Sequence, residues 1–184
     1  MRYNYVMHMI RMKTIFAIVA SAVTMCAAAP QASADLVMTD GAQDGFVNDG
    51  QYSRTGEFIL VGEEGFAGVF EFQLKNKQKV KKATLILNIK KVKKKGECSL
   101  YHLLSFNNGE AEVQDFYAGS DLVEKKTIDG DGPVEFDITA AVNEDIDGPG
   151  EWTSFRLNAE GDTQVVVHSF EGNAKEAARI VIER

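Results

Sequence analysis

The sequence predicts an all-β domain, a sandwich or barrel of about nine short strands. Apolar residues recur at every second position in several segments, which places one face of each segment in a core and the other in water. Asp-Gly and Asn-Gly pairs lie between these segments, and such pairs close tight turns because they accept positive φ. No long stretch has the 3.6-residue period of an amphipathic helix, so short strands and tight turns dominate the prediction.

The alternation is clearest over residues 83–89 and 134–138, where Ala, Leu, Ile, Val and Phe take turns with more polar residues. The predicted strands are 36–39, 58–62, 70–74, 83–89, 98–105, 134–138, 155–159, 164–170 and 178–182. Six Asp-Gly pairs, among them Asp44-Gly45 and Asp49-Gly50, are predicted turns. One helical turn is predicted over 139–144, with Thr139 as its N-cap.

An N-terminal leader precedes the domain. It has a basic start without acids, an apolar run over 14–29 and a small-residue exit, Ala32-Ser33-Ala34. This order is that of a secretory signal peptide, 1–34, cleaved after Ala34. The apolar run is shorter than the roughly 20 residues of a membrane span, so no membrane span is expected. We therefore predict a secreted protein, extracellular or periplasmic, with one domain at 35–184.

The predicted mature chain is strongly acidic. All 27 Asp and Glu residues follow residue 34, against 17 of the 20 Lys and Arg residues, which gives a net charge of −10. Such a charge disfavours nucleic acid and anionic membranes as partners. Cys98 is the one cysteine after residue 34, so no disulfide can form within this part of the chain. Because it alternates with Leu100, Cys98 is predicted to be a buried apolar residue.

Several segments, taken in order, resemble the DNRLRE domain family. They are 58–62 (FILVG), 69–74 (VFEFQL), 82–87 (KATLIL), 134–139 (VEFDIT) and 167–171 (VHSFE), and the resemblance runs from about Gly41 to Glu183. It implies an all-β jelly-roll β-sandwich, here of about nine short antiparallel strands. It also implies an accessory role in secreted or surface proteins. Some relatives in that family are similar to carbohydrate-binding modules, including alginate binders.

Ten of the 17 cations are lysines between residues 75 and 95. They form two groups on either side of segment 83–89, so we expect them at the two ends of one strand, with 93–95 at a hairpin tip. The second group is a candidate site for an anionic polysaccharide such as a uronate polymer, because many weak ammonium–carboxylate contacts add together. The competing interpretation is a solvated loop whose charges protect a sheet edge. The candidate residues are Lys90, Lys91, Lys93, Lys94 and Lys95.

Aromatic rings and acidic clusters supply further candidates. Tyr101 and Trp152 are candidate sugar contacts, although rings in this pattern more often complete a core. Asp40, Asp44 and Asp49 are a candidate structural calcium site, since calcium takes six to eight oxygen ligands. Ordinary Asp-Gly turn chemistry explains the same acids without a metal.

Catalytic motifs are lacking in the sequence, which has no G-x-S-x-G, no H-E-x-x-H and no phosphate-binding glycine loop. We therefore expect no enzyme, and no cofactor except the calcium just described. The leading hypothesis is a secreted carbohydrate-binding module for an anionic polysaccharide. The alternative is a structural or adhesive domain, extracellular or on the cell surface, that contacts another protein. A small polysaccharide lyase or hydrolase is a third, weaker hypothesis.

Overall fold

The fold is described from a computed structural model, which describes residues 34–38, 43–53 and 56–184. The chain divides into residues 1–31 and a compact unit, Ala32–Arg184. The predicted signal peptide lies outside the described residues except for Ala34. That residue begins the first strand and pairs with Glu183.

The described residues form twelve strands and three helices. The strands are β1 (Ala34–Met38), β2 (Asp44–Asn48), β3 (Gln51–Ser53), β4 (Phe58–Val61), β5 (Ala67–Gln73), β6 (Lys82–Lys94), β7 (Gly96–Leu103), β8 (Ser120–Ile128), β9 (Gly132–Asp137), β10 (Trp152–Ala159), β11 (Gln164–His168) and β12 (Arg179–Glu183). The helices are α1 (Val113–Tyr117), α2 (Thr139–Asp147) and α3 (Phe170–Asn173), with a 3-10 turn at Glu63–Gly65.

The strands pair into two antiparallel sheets. Sheet A has the order β1-β12-β6-β11-β4, with β9 on the other edge of β6, and sheet B has the order β3-β2-β5-β10-β7-β8. The set β4-β11-β6-β9 faces the set β5-β10-β7-β8, and between β4 and β11 the chain crosses from one sheet to the other after β4, β5, β6, β8, β9 and β10. This is the strand order of a jelly roll. The prediction of an all-β sandwich is confirmed, with twelve strands in place of about nine.

The core lies between the sheets and follows the predicted alternation. Alternate residues of β6 point inward and are buried, and β9 and β12 contribute their inward faces on either side of it. Sheet B supplies mainly aromatic residues from β5 and β10. The largest fully buried side chains on these strands are Leu85, Leu87, Phe136, Phe70, Phe72, Phe155 and Leu157. Cys98 is also fully buried in this core, as predicted.

Three local predictions are corrected by the structure. Asp44-Gly45, predicted as a turn, lies within β2 because both residues pair with β5. Strand β8 was not predicted, because it is an edge strand of sheet B and has few buried residues to mark it. Helix α2 runs to Asp147, and Thr139 is its first residue and not its cap. The Thr139 hydroxyl instead accepts from Ala83 N at 3.0 Å, which attaches α2 to β6.

Within the described residues, no helix is long and apolar enough to cross a membrane.

Replacing Leu87 with Ala tests the central position of β6. The side chain is fully buried between the sheets, so the substitution removes apolar contacts and leaves a cavity. We expect the free energy of unfolding to fall by about 2–5 kcal/mol, measured by chemical denaturation. Thr127→Ala, at an exposed position of β8, is the control and should change it by less than about 1 kcal/mol. Equal effects of the two substitutions would contradict the assigned core.

Candidate functional site

The second lysine group lies at the end of β6, where the pairing with β11 is irregular. We call Lys90, Lys91, Lys93, Lys94 and Lys95 the lysine tract. Four successive residues of β11, taken from Val167 back to Gln164, pair with Ile89, Lys91, Val92 and Lys94 of β6. Lys90 and Lys93 are therefore the extra residues of two β-bulges, which leave an unpaired residue in the bulged strand. The bulges let Val92 pack against the core while every lysine of the tract stays exposed.

Two lysines of the tract already have partners. The Lys90 ammonium lies 4.9 Å from the centroid of the Phe58 ring in β4, within the range of a cation–π contact. Lys93 forms an ion pair with Glu63. Phe58 was predicted only as a strand residue. Its contact with Lys90 depends on pairing between distant strands, so no local sequence signal marks it.

The other three lysines of the tract are exposed, and no acidic side chain of the described residues forms an ion pair with them. Within the described residues, Lys91, Lys94 and Lys95 form no ion pair. The acids beside the hairpin are occupied otherwise. Lys125 lies 3.2 Å from Glu97 and 3.5 Å from Glu160. Three ammonium groups therefore remain available to an anionic ligand at one end of an acidic domain.

The first lysine group behaves differently. Lys77 donates to the carbonyl of Gly148 at 2.9 Å, and Lys79 donates to that of Asn143 at 3.3 Å and pairs with Asp147. These cations attach the segment before β6 to helix α2. The two groups lie at opposite ends of β6, as the sequence predicts. In the first group Lys77 and Lys79 hold α2, whereas Lys75 and Lys82 are exposed and form no ion pair among the described residues.

Tyr101 and Trp152 do not join the lysine tract. Both lie on the outer face of sheet B, whereas the tract belongs to sheet A and the β6–β7 hairpin. Tyr101 is half-buried, and the guanidinium carbon of Arg156 lies 5.7 Å from its ring centroid. Trp152 is half-buried, with the backbone of Gly109 against its ring. The two aromatic candidates thus belong to a different surface from the cationic one.

Two of the three predicted calcium residues, Asp44 and Asp49, are placed by the structure. Asp40 lies outside the described residues. Asp44 is the first residue of β2 and Asp49 follows its last, so their α-carbons are roughly 16 Å apart at about 3.3 Å per residue. One ion cannot reach both, because calcium–oxygen distances are about 2.3–2.6 Å. Asp44 accepts from Phe170 N at 3.0 Å, and Asp49 accepts from the Tyr117 hydroxyl.

Across the described residues, no three His, Cys, Asp or Glu side chains are grouped to hold a metal ion. Calcium binding itself stays a prediction.

A buried polar cluster on sheet B was missed by sequence reasoning. Glu71 and Arg156 alternate with core residues and were expected to face water, yet they are buried together with Ser154 and Asp115. The cause is segment 104–119, which carries α1 across the outer face of sheet B. Ala111 of that segment belongs to a second small core, and Phe116 packs against it. That core consists of Val47, Ala67, Val69 and Ala111.

A cleft of about 400 Å³ lies at the end of the sandwich opposite the lysine tract. Its lining includes Gln73, Lys75 and Arg184. Arg184 forms an ion pair with Asp35 across it. Because residues 39–42 connect Val37 and Gln43 of this lining and lie outside the described residues, we assign the cleft no function.

Comparison of the chain with protein-family models finds no match, and comparison with curated proteins finds no similar one. The resemblance to the DNRLRE family therefore stays a prediction from the segments quoted above.

Replacing Gly109 with Ala tests how segment 104–119 sits on sheet B. Gly109 has φ +87°, and an added Cβ would lie 2.4–2.8 Å from three atoms of the Trp152 ring. We expect a loss of about 1–3 kcal/mol in unfolding free energy from strain and overpacking, with a change in Trp fluorescence. Gly119→Ala, in open space, is the matched control and should leave both nearly unchanged. A Gly109→Ala variant as stable as the control would show that the segment does not cover Trp152.

Proposed function

We propose that this protein is a secreted, non-catalytic carbohydrate-binding module whose ligand is an anionic polysaccharide, held by the lysine tract. The single observation that carries the proposal is the bulged end of β6. There, three exposed lysines without ion-pair partners among the described residues lie within five positions of one another. Secretion rests on the pattern of the leader, residues 1–34.

The charge distribution favours a ligand that is both anionic and extended. With a net charge of −10 from residue 35 onward, the domain repels anions except where cations are concentrated. Each exposed ammonium–carboxylate contact contributes only about 0.2–1 kcal/mol. A single uronate would therefore bind weakly, whereas a polymer that meets several lysines adds these contacts within one molecule. An exposed surface such as the tract suits a chain-like ligand.

The aromatic ring beside the proposed ligand surface is not one of the two predicted from the sequence. Phe58, beneath Lys90, is the ring adjacent to the lysine tract, and Tyr101 and Trp152 lie on the other sheet. We therefore assign the proposed contacts to Lys91, Lys94 and Lys95, with Lys90 and Phe58 at the margin of the surface.

Contact with another protein is a second candidate function. It is favoured by a different surface, at the start of segment 104–119, where Leu104 and Phe106 are about half exposed. Phe106 also has φ +63°, a conformation that costs a non-glycine residue energy and is enriched at functional sites. This surface follows β7, at the opposite end of that strand from the lysine tract.

Charge reversal of the lysine tract tests the proposed function. We expect the Lys91→Glu, Lys94→Glu, Lys95→Glu variant to bind alginate and polygalacturonate at least tenfold more weakly, because three attractive contacts become repulsive. Binding of the unaltered protein should also weaken as salt rises to 0.5 M, since exposed charges are screened. Affinity electrophoresis in gels that contain each polymer measures both effects.

Two controls separate charge from general damage. The Lys91→Arg, Lys94→Arg, Lys95→Arg variant keeps the charge and should retain binding, and Lys175→Glu changes an exposed lysine elsewhere and should have no effect. Dextran is the neutral polymer control. Retained binding by the Glu variant, or equal retention on dextran, would contradict the proposal, as would the absence of binding to every anionic polymer.

A further inference from the structure

Segment 104–119 covers polar side chains that ordinarily face water. It connects β7 to β8 and lies over β5 and β10, where Glu71 and Ser154 occupy directly opposite positions on the outer face. Asp115, from α1, meets them from above. All three side chains are fully buried. A carboxyl pair is thus enclosed between the segment and the sheet.

The segment is attached to the sheet largely through charged or titratable side chains. Gly109 N donates to Glu71 Oε2 at 2.5 Å. Arg156 Nη1 donates to the carbonyls of Asp115 at 2.7 Å and Phe116 at 2.5 Å. Within the segment, Asp115 Oδ2 accepts from Glu112 N at 2.6 Å and completes a capping box for α1. Glu71 and Arg156 therefore supply side-chain contacts that hold the segment on the sheet.

The cluster contains more negative than positive charge. Two carboxylates face one guanidinium, so the fully ionised cluster carries a net charge of −1 without access to water, which is costly. Among the described residues, Glu71 Oε1, Asp115 Oδ1 and Ser154 Oγ also have no aligned hydrogen-bond partner. One added proton on Glu71 removes the net charge and supplies a partner for two of these three atoms; Asp115 Oδ1 keeps none among the described residues. The proton turns Glu71 Oε1 into a donor toward the adjacent Ser154 hydroxyl.

A divalent cation fits the cluster less well. It would leave a net charge of +1 and needs about six to eight oxygen ligands. The described residues offer no group of three metal-ligating side chains here. Charge and ligand number therefore both favour a proton.

We propose that Glu71 is held as a neutral acid and that its ionisation releases segment 104–119 from sheet B. The segment is then a proton-controlled cover over the outer face that carries Tyr101, Trp152 and Arg156. This inference uses no residue of the lysine tract and does not depend on the proposed polysaccharide.

The electrostatic surroundings of Glu71 support this assignment. Burial, and next the charge of Asp115, raise the pKa of Glu71 from 4.5 to about 8, against the opposing hydrogen bond from Gly109 and the nearby Ser154 hydroxyl. Burial likewise raises the pKa of Asp115 to about 6. The hydrogen bond from Glu112 N and the charge of Arg156 oppose this rise, and the charge of the Glu112 carboxylate adds to it. Tyr101, against Arg156, is a further titratable group beside the cluster.

The direction of the pH effect follows from these values. An acid whose pKa is higher in the closed form binds its proton more tightly there, so closure is favoured below pH 4.5 and weakened as pH rises through about 8. Opening that exposes Glu71 then releases one proton. Because Asp115 also releases a proton at the lower end of this range, the opening constant should rise about tenfold per pH unit between about pH 6 and 8 and level off above pH 8.

Hydrogen exchange of the intact protein between pH 6 and pH 8.5 tests the proposal. After correction for intrinsic exchange rates, the opening constant for amides 109–117 should rise at least tenfold, while amides of β6 and β12 stay unchanged. Glu71→Gln, which imitates the neutral acid, should abolish the rise and keep the segment protected at both pH values. Glu135→Gln, an exposed carboxyl on β9, is the matched control and should behave like the unaltered protein.

A direct titration keeps the test decisive if the Gln variant folds poorly. The carboxyl carbon of Glu71, followed by NMR in the unaltered protein, should titrate with a midpoint near pH 8. A midpoint near 4.5, an opening constant that does not change with pH, or a rise that persists in Glu71→Gln would each overturn the proposal.

Discussion

Antiparallel pairing along β6 is the constraint on which the rest of the structure depends. This strand has thirteen residues and pairs with β9 on one edge and with β12 and then β11 on the other. Its inward residues face the aromatic layer of β5 and β10, so the register of β6 decides which side chains of sheet A enter the core. A shift by one residue would expose Leu85 and Leu87 and bury polar neighbours, which makes this register strongly specified.

The same strand separates the two roles of the lysines. At its start, lysines that precede β6 bind carbonyl groups around α2 and attach that helix to the sandwich. At its end, two bulges break the regular pairing with β11. The bulges keep Val92 in contact with the core and leave Lys91, Lys94 and Lys95 in water. One strand that is longer than its partners therefore carries both the lysines that hold α2 and the exposed lysines of the tract.

The sequence predicted the features that depend on local periodicity. Alternation over residues 83–89 and 134–138 identified the inward faces of β6 and β9, and Asp49-Gly50 lies at a turn with Gly50 at φ +92°. The separation of the lysines into two groups likewise followed from the apolar segment between them. Local sequence was sufficient in these cases because the pattern and the contact lie on the same element.

The features that depend on contacts between distant segments were not predictable in this way. Glu71 and Arg156 have the spacing of solvent-facing strand residues, and only the path of segment 104–119 shows that they are covered. Asp44-Gly45 reads as a turn, but pairing with β5 holds it in β2. Tyr101 and Trp152 were grouped with the lysines by residue type alone, whereas the topology places them on the other sheet.

The most direct measurement of the central claim, that the lysine tract binds an anionic polysaccharide, is a chemical-shift titration of the isotope-labelled protein with a short oligouronate. The account predicts changes concentrated at residues 90–95, Phe58 and Glu63, and changes confined to sheet B, or none at all, would contradict it.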